Sequence, residues 1–352
     1  MMFPSSTGRL LDVFGNFILV LFISAAFLQS CIEEPYQEKN TNTGNFEALW
    51  KIIDTRYCYL DYKHINWDSV HAVYRLRVND TLNQLSFYGL MADMLDELKD
   101  GHVNLYTNFA VSSYKKWYTD YPSNFNADLI YNEKYLGSNY YSVNGLRYAR
   151  IHNDDIGYIY YGNFSNRFGN SNISAIFSYF KDCRGLIIDV RDNGGGYLDM
   201  SEQFASYFLK SDTITGYIMH KTGDGHNDFS AAKAIINPAN KTLQWQRRVV
   251  VLTNRMSFSA TNSFVVRMKV APNVIIAGDR TGGGGGLPFS SEIPNGWMIR
   301  FSASPMFDAS MNHTEWGIDP DVKVGLKTSD VEKGYDTIIE KAIMLIESNS
   351  GR

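Results

Sequence analysis

Three groups of residues in this chain have types and spacing suited to acyl transfer. The first is Ser259 in VVVLTNRMSFSATNSFVVRMKV, residues 249–270. A Val-rich apolar run ends at Thr253-Asn254, and an apolar-periodic run restarts at Ser263-Phe264. That pattern predicts a buried strand, a tight loop and a helix, with Ser259 at the junction. A helix N-terminus offers free N–H groups and a favourable dipole, which suit a nucleophile and part of an oxyanion hole. The same position also suits a serine that only caps the helix.

The second group is Asp189-Val190-Arg191-Asp192-Asn193-Gly194-Gly195-Gly196, directly after another apolar run. Its glycines let backbone approach a ligand and aim N–H groups at it. Gly196-Tyr197-Leu198 lacks the Gly-Lys-Ser/Thr of a Walker phosphate loop, and the spacing fails GxGxxG. Half of an oxyanion hole fits, with a donor from Gly195 or Gly196 and another from Ala260. So does a turn built for geometry alone. The third group is Asp100-Gly101-His102. Histidine is the usual base for serine near neutral pH. With only seven histidines in the chain, competitors are few. His220 and His226 lie in a strand-and-loop pattern and are weaker candidates.

The surrounding pattern must position these groups. Phe46, Leu49, Trp50 and Ile53 recur at helical spacing, as do Leu90, Met91, Met94, Leu95 and Leu98. Asn66 or Asp68 could cap a further helix between them. Residues 45–105 therefore read as a helical N-terminal subdomain, and 106–150 as a short, aromatic connecting segment. Short strands are expected there at Ala127–Tyr131 and Tyr140–Val143. From 151 to 347 apolar strands alternate with helices, which predicts an α/β core with a mostly parallel sheet covered on both faces. Its expected strands are Ile156–Tyr161, Gly185–Val190, Val249–Leu252 and Val274–Ala277. Its expected helices are Ile173–Phe180, Asp199–Leu209, Ser263–Val270 and Asp330–Glu347.

At 352 residues and 44% hydrophobic content the chain can bury a substantial core. A net charge of −4 without Lys/Arg-rich runs gives no sign of a nucleic-acid partner. Residues 13–28 are apolar, with Arg9 ahead and Leu28-Gln29-Ser30-Cys31 behind, and resemble a secretory signal ending in a bacterial lipobox. Residues 1–30 are then a lipoprotein signal peptide, Cys31 the lipidation site, and 31–44 a polar tether. The implied location is the cell envelope of a Gram-negative bacterium, lipid-anchored at the outer membrane. Cys58 and Cys183 make no disulfide framework and are expected as buried thiols. Without CxxC or HExxH, no metal or cofactor is indicated.

Jointly, Asp-X-Arg-X-Asn-X-Gly-Gly, Ser257-X-Ser259-Ala260 and Gly317-Ile318-Asp319-Pro320-Asp321 resemble the C-terminal processing peptidases, or tail-specific proteases. The resemblance covers about residues 45–345. It implies a crotonase-like (ClpP/crotonase-type) α/β core of stacked ββα units behind the helical subdomain. It implies Ser259 as nucleophile of a serine peptidase acting on polypeptides, with oxyanion donors at Gly195 and Ala260. Members with a Ser-Lys dyad carry the lysine in a Thr-X-Gly-Lys-Gly loop. The matching loop here is Thr281-Gly282-Gly283-Gly284-Gly285, and no lysine lies between Lys269 and Lys323. The resemblance then turns to the tricorn-core branch, whose histidine His102 matches. Gly101 stands where that branch has serine. An acidic residue near the Gly-Ile-Asp-Pro-Asp element completes such a site. Glu315 is the nearest, one register off, and Asp100 is its rival for orienting His102. About fifty residues separate His102 from Ile156, so no PDZ domain is expected and strict C-terminal specificity is not implied. A non-catalytic envelope lipoprotein holding peptide, glycan or an apolar ligand in the same cleft is the alternative. The Gly282–Gly286 run could serve either reading, as an unformed cleft wall or a mobile loop over substrate.

Overall fold

A computed structural model describes residues 38–348. The signal segment 1–30, Cys31 and the first part of the tether lie outside the described residues. The chain opens with α1 (Asn42–Arg56), α2 (Trp67–Arg75) and α3 (Gln84–Asp96). Their caps are local: Thr41, Asn66 and Asn83 each accept a backbone N–H with the side chain. Asn66, not Asp68, caps the second helix. The apolar faces bury Phe46, Leu49, Ile53, Trp67, Phe87, Met91 and Met94 in one cluster.

Next come β1 (Asn104–Tyr106), single-turn helices α4 (Lys116–Thr119) and α5 (Ala127–Ile130), and the hairpin of β2 (Tyr141–Val143) and β3 (Leu146–Ile151). The strand expected at Ala127–Tyr131 is thus a helical turn. Asn126 Oδ1 accepts the Asp128 N–H at 2.9 Å and nucleates it. Then follow β4 (Ile156–Tyr161), α6 (Asn170–Tyr179), β5 (Gly185–Asp189), α7 (Leu198–Ser206), β6 (Thr213–Ile218), β7 (Lys233–Asn237), β8 (Arg248–Thr253), α8 (Ala260–Lys269) and β9 (Val274–Gly278). The chain finishes with β10 (Gly286–Glu292), β11 (Met298–Asp308), β12 (Val322–Lys323), α9 (Thr328–Val331) and α10 (Thr337–Glu347).

The larger sheet runs β12-β9-β8-β5-β4-β3-β2, parallel from β12 to β4 and antiparallel beyond. Its parallel strands read as unbroken apolar runs because both faces are covered. One face packs Ile173, Ile176, Phe204, Phe264 and Val265 of α6, α7 and α8; the other packs Ile338, Ile339, Ala342 and Ile343 of α10. A second, antiparallel sheet, β1-β11-β6-β7 with β10 also on β11, was not expected from the sequence. Strand β11 joins the regions: it pairs with β1 beside the helical cluster and with β6 of the core.

The single helix expected over Asp330–Glu347 is two. Gly334 turns the chain at φ 75°, and Asp336 restarts it by accepting the Ile338 and Ile339 N–H groups. Cys58 and Cys183 are buried and free. No helix among the described residues is long and apolar enough to cross a membrane, and no cluster of three His, Cys, Asp or Glu among them could hold a metal ion.

Candidate active site

Strand β8 delivers the chain to a turn braced from both sides. Asn254 Oδ1 accepts the N–H groups of Asp192 at 3.0 Å and Met256 at 3.1 Å. Ser257, the first serine of the Ser-X-Ser element, donates to the Val190 carbonyl at 2.8 Å and is a brace between the two loops. Ser259 then adopts φ 59° and ψ −118°, a conformation that costs an L residue about 1–3 kcal/mol. Its N–H donates to the Gly283 carbonyl at 2.9 Å, and its carbonyl accepts from Ser263 at 3.0 Å, which hold it there. Ser259 occupies the cap position of α8, yet its side chain caps nothing. Oγ instead lies 2.9 Å from His102 Nε2. A strained strand-to-helix turn that frees a hydroxyl from capping presents it for chemistry.

His102 sits between α3 and β1 and is 3% exposed. Its ring packs against Phe258, centroids 4.8 Å apart, and Trp117 of α4 stacks on Phe258 at 4.2 Å. This explains Gly101: a Cβ there would meet Trp117 Nε1 at 2.6 Å and Phe258 Cζ at 2.9 Å. Burial is the main cause that lowers the imidazole pKa, to about 4. Asp100 pulls the other way, while Arg300 and Lys63 add to the depression. At neutral pH the ring is therefore uncharged, as a base must be. Nδ1 is buried without a well-aligned hydrogen-bond partner, and the Gly286 carbonyl is the backbone acceptor acting on the ring.

Neither of the two acids considered for orienting His102 hydrogen-bonds the ring. Asp100 Oδ1 accepts the His102 backbone N–H at 2.7 Å. Its Oδ2 accepts from Tyr57 Oη and Ser302 Oγ, both at 2.9 Å. Glu315 Oε2 accepts the Gly285 N–H at 3.1 Å, and Oε1 lies 2.6 Å from Lys63 Nζ. Lys63, which the sequence reading did not single out, also lies 3.6 Å from Asp100 Oδ2. The cation and both carboxylates are buried. Burial and the neighbouring Asp100 outweigh Lys63 at Glu315, whose pKa rises to about 8. Asp100 moves the opposite way: burial opposes its charge, but Lys63 and His102 hold its carboxyl below the usual range.

The glycine turn after β5 comes to the same place. A Cβ on Gly195 would fall 2.9 Å from Ser259 Cβ and 3.0 Å from the Ala260 nitrogen. The Gly195 N–H, however, is already committed. It donates to Asn193 Oδ1 at 3.0 Å, an acceptor that also takes the Thr261 hydroxyl at 2.7 Å. The N–H groups of Ala260 and Gly196 have no partner among the described residues. Arg191 anchors the turn from below. Its guanidinium is fully buried between Asp189, at 2.6 Å, and Asp336, at 2.9 Å.

The glycine run is formed and closely packed in this structure. Residues 283–286 are buried, and a Cβ on Gly283 would fall 1.8 Å from the Glu315 carbonyl oxygen. In this structure the run forms a close-packed floor joining Ser259 to Glu315. His220 and His226 lie elsewhere, on Ser304 Oγ and on Asp54 and Asp61.

Comparison with known proteins gives consistent matches. The model for peptidase family S41 matches residues 155–324, and the tricorn protease C1 domain matches residues 38–96. A crystal structure of a candidate peptidase from Parabacteroides merdae is 49% identical, covering 88% of this chain and 97% of that one, with a TM-score of 0.84. The carboxy-terminal processing protease CtpB of Bacillus subtilis is 26% identical over 178 residues, 50% of this chain and 35% of that protein. The matched stretch thus spans about a third of the length of the curated relatives. Mature CPAF, at 12% identity and a TM-score of 0.68 over 89% of this chain and 98% of that one, shows the shared fold alone.

Proposed function

Since the chain belongs to peptidase family S41, the C-terminal processing peptidases, with the crotonase-like α/β core of that family, we propose that it is a serine peptidase hydrolysing polypeptides through an acyl-enzyme. Ser259 is the nucleophile and His102 the general base. The neutral imidazole takes the Ser259 proton at Nε2 as Oγ attacks the peptide carbonyl. The carbonyl oxygen becomes an oxyanion received by the Ala260 N–H and the glycine turn, where Gly196 offers the unpartnered donor and Gly195 the close approach. His102 then gives its proton to the leaving amine. In the second half it deprotonates the water that releases the acyl group. Asp100, beside the ring, stabilises the imidazolium that forms transiently. Glu315 acts on the site at one remove, through Lys63.

The observation that carries this reading is the 2.9 Å contact between a buried, uncharged imidazole and a serine held off its cap in a strained turn. A fluorophosphonate probe is expected to label Ser259, and Ser259→Ala is expected to abolish labelling and turnover with the fold intact. A folded wild-type protein that resists the probe would favour a binding lipoprotein instead. We also propose that Cys31 carries the lipid anchor in a Gram-negative outer membrane. Mass spectrometry of the mature N-terminus checks it, and an unmodified Cys31 ends it.

A further inference from the structure

Lys63 lies in the turn after α1, its N–H on the Tyr59 carbonyl at 2.9 Å. Lysine after a helix ordinarily reaches for solvent. This side chain is 2% exposed instead. Its ammonium is ringed by Tyr57, Tyr59 and Trp316, with centroids at 5.7, 5.6 and 4.6 Å. Nζ donates to the carbonyls of Leu98 at 3.2 Å and Lys99 at 3.4 Å, and to Glu315 Oε1 at 2.6 Å. Leu98, Lys99 and Asp100 are consecutive, and the chain continues through Gly101 into His102. Lys99 in that turn has φ 49°, a conformation an L residue adopts at a cost.

We propose that Lys63 is a positioning residue for the reaction: its ammonium holds the strained turn that presents His102, clamps Asp100 and Glu315 together, and offsets the field of Asp100 at the imidazole. This rests on the serine-peptidase reading. Lys63 is not the base. Despite burial, the two carboxylates hold its pKa above the ordinary value, so it stays a cation. The other titratable groups facing it are Cys58, Tyr57 and Tyr59; those facing His102 are Asp100, Arg300, Ser259 and the Gly286 carbonyl. Removing the cation leaves Asp100 unopposed, which raises the basicity of His102. It also frees the turn, which slows the reaction at every pH.

The test is the second-order rate at which a fluorophosphonate labels Ser259, measured against pH on the full chain. For Lys63→Met and Lys63→Gln, the rate is expected to fall about 10-fold or more, and its acid limb to move up by about half a pH unit or more. Lys63→Arg keeps the charge and should keep the wild-type acid limb at a reduced rate. A folded neutral variant with the wild-type acid limb overturns the proposal. If neutral variants fail to fold, Lys63→Met is made in a Glu315→Gln background, which removes the buried ionisable group that loses its partner with the cation. Its acid limb is compared with Glu315→Gln alone: the same upward shift supports the role, and coincident limbs overturn it. Wild-type protein that takes no label at Ser259 sinks the peptidase reading, and this role with it. Normal wild-type labelling with unmoved limbs sinks only the role of Lys63.

Discussion

Two buried cations in this protein each lie between two carboxylates. Arg191 lies between Asp189 and Asp336, with Tyr158 Oη on Asp189 at 2.8 Å. Lys63 lies between Asp100 and Glu315, with Tyr57 Oη on Asp100 at 2.9 Å. The guanidinium makes a forked contact to Asp189 and ties the end of β5 to the start of α10. Its charge is fixed near neutrality. The ammonium makes single-point contacts, and the Glu315 beside it has a pKa of about 8. The second cluster can therefore exchange a proton with solvent near neutrality. The difference separates a clamp that holds the backbone from a cluster whose charge reaches the histidine.

The largest effect should come from the clamp. Arg191→Met strands two buried carboxylates and is expected to cost about 3–5 kcal/mol, read by urea denaturation. Lys63→Met should cost clearly less, because a proton on Glu315 can relieve the stranded charge. Equal losses would break the distinction between the clusters.

Glu315 sharpens it next. Its folded pKa is raised above the unfolded value, so between pH 4.5 and about 8 the folded state binds the extra proton. Its contribution is fully present below pH 4.5 and is lost as pH rises toward 8. His102 runs in the opposite sense. Its folded pKa of about 4 lies below the unfolded 6.5, so its contribution is present above pH 6.5 and lost on acidification toward 4. The two slopes oppose each other between 4.5 and 6.5, and only that of Glu315 remains above. From pH 6.5 to 8 the protein should lose about 2 kcal/mol, and Glu315→Gln should lose much less. Matching curves for the two proteins in that window would show that Glu315 is ionised throughout.

These contrasts also mark what the sequence could disclose. Ser259 was legible because an apolar strand, a tight loop and an apolar helix leave their periods in the chain. His102 was singled out by the scarcity of histidines and by the resemblance of its segment to the tricorn-core branch, not by its turn, which suits a structural histidine equally well. The parallel strands were legible because two covered faces demand unbroken apolar runs. Strand β11 was not, since both its faces are largely covered and mix apolar residues with the buried Ser302 and Ser304, which breaks the period-two pattern, and Pro305 interrupts it. Lys63 left no local signal: its partners lie 37 and 252 positions away, and only the fold brings them to it. The packing of the glycine run was hidden for a related reason. Composition reports the entropy of five glycines but not the Glu315 carbonyl that occupies the space of a side chain. Asn193 likewise takes the Gly195 N–H through an Asx contact that the Gly-rich motif conceals.

The smallest expected effect comes from a third cation. Arg300 also lowers the pKa of His102, from β11 opposite Asn104. It is partly exposed, and its guanidinium has no carboxylate partner among the described residues, only Asn104 Oδ1 at 3.5 Å. Water and salt reach it, whereas they do not reach Lys63. At low ionic strength Arg300→Gln should raise the acid limb of Ser259 labelling much as the neutral Lys63 variants do. At about 1 M salt, where screening acts over roughly 3 Å, the Arg300 effect should vanish and the Lys63 effect persist. A salt-insensitive Arg300 shift would mean that its charge is felt through protein rather than solvent, and burial would then not be what distinguishes Lys63.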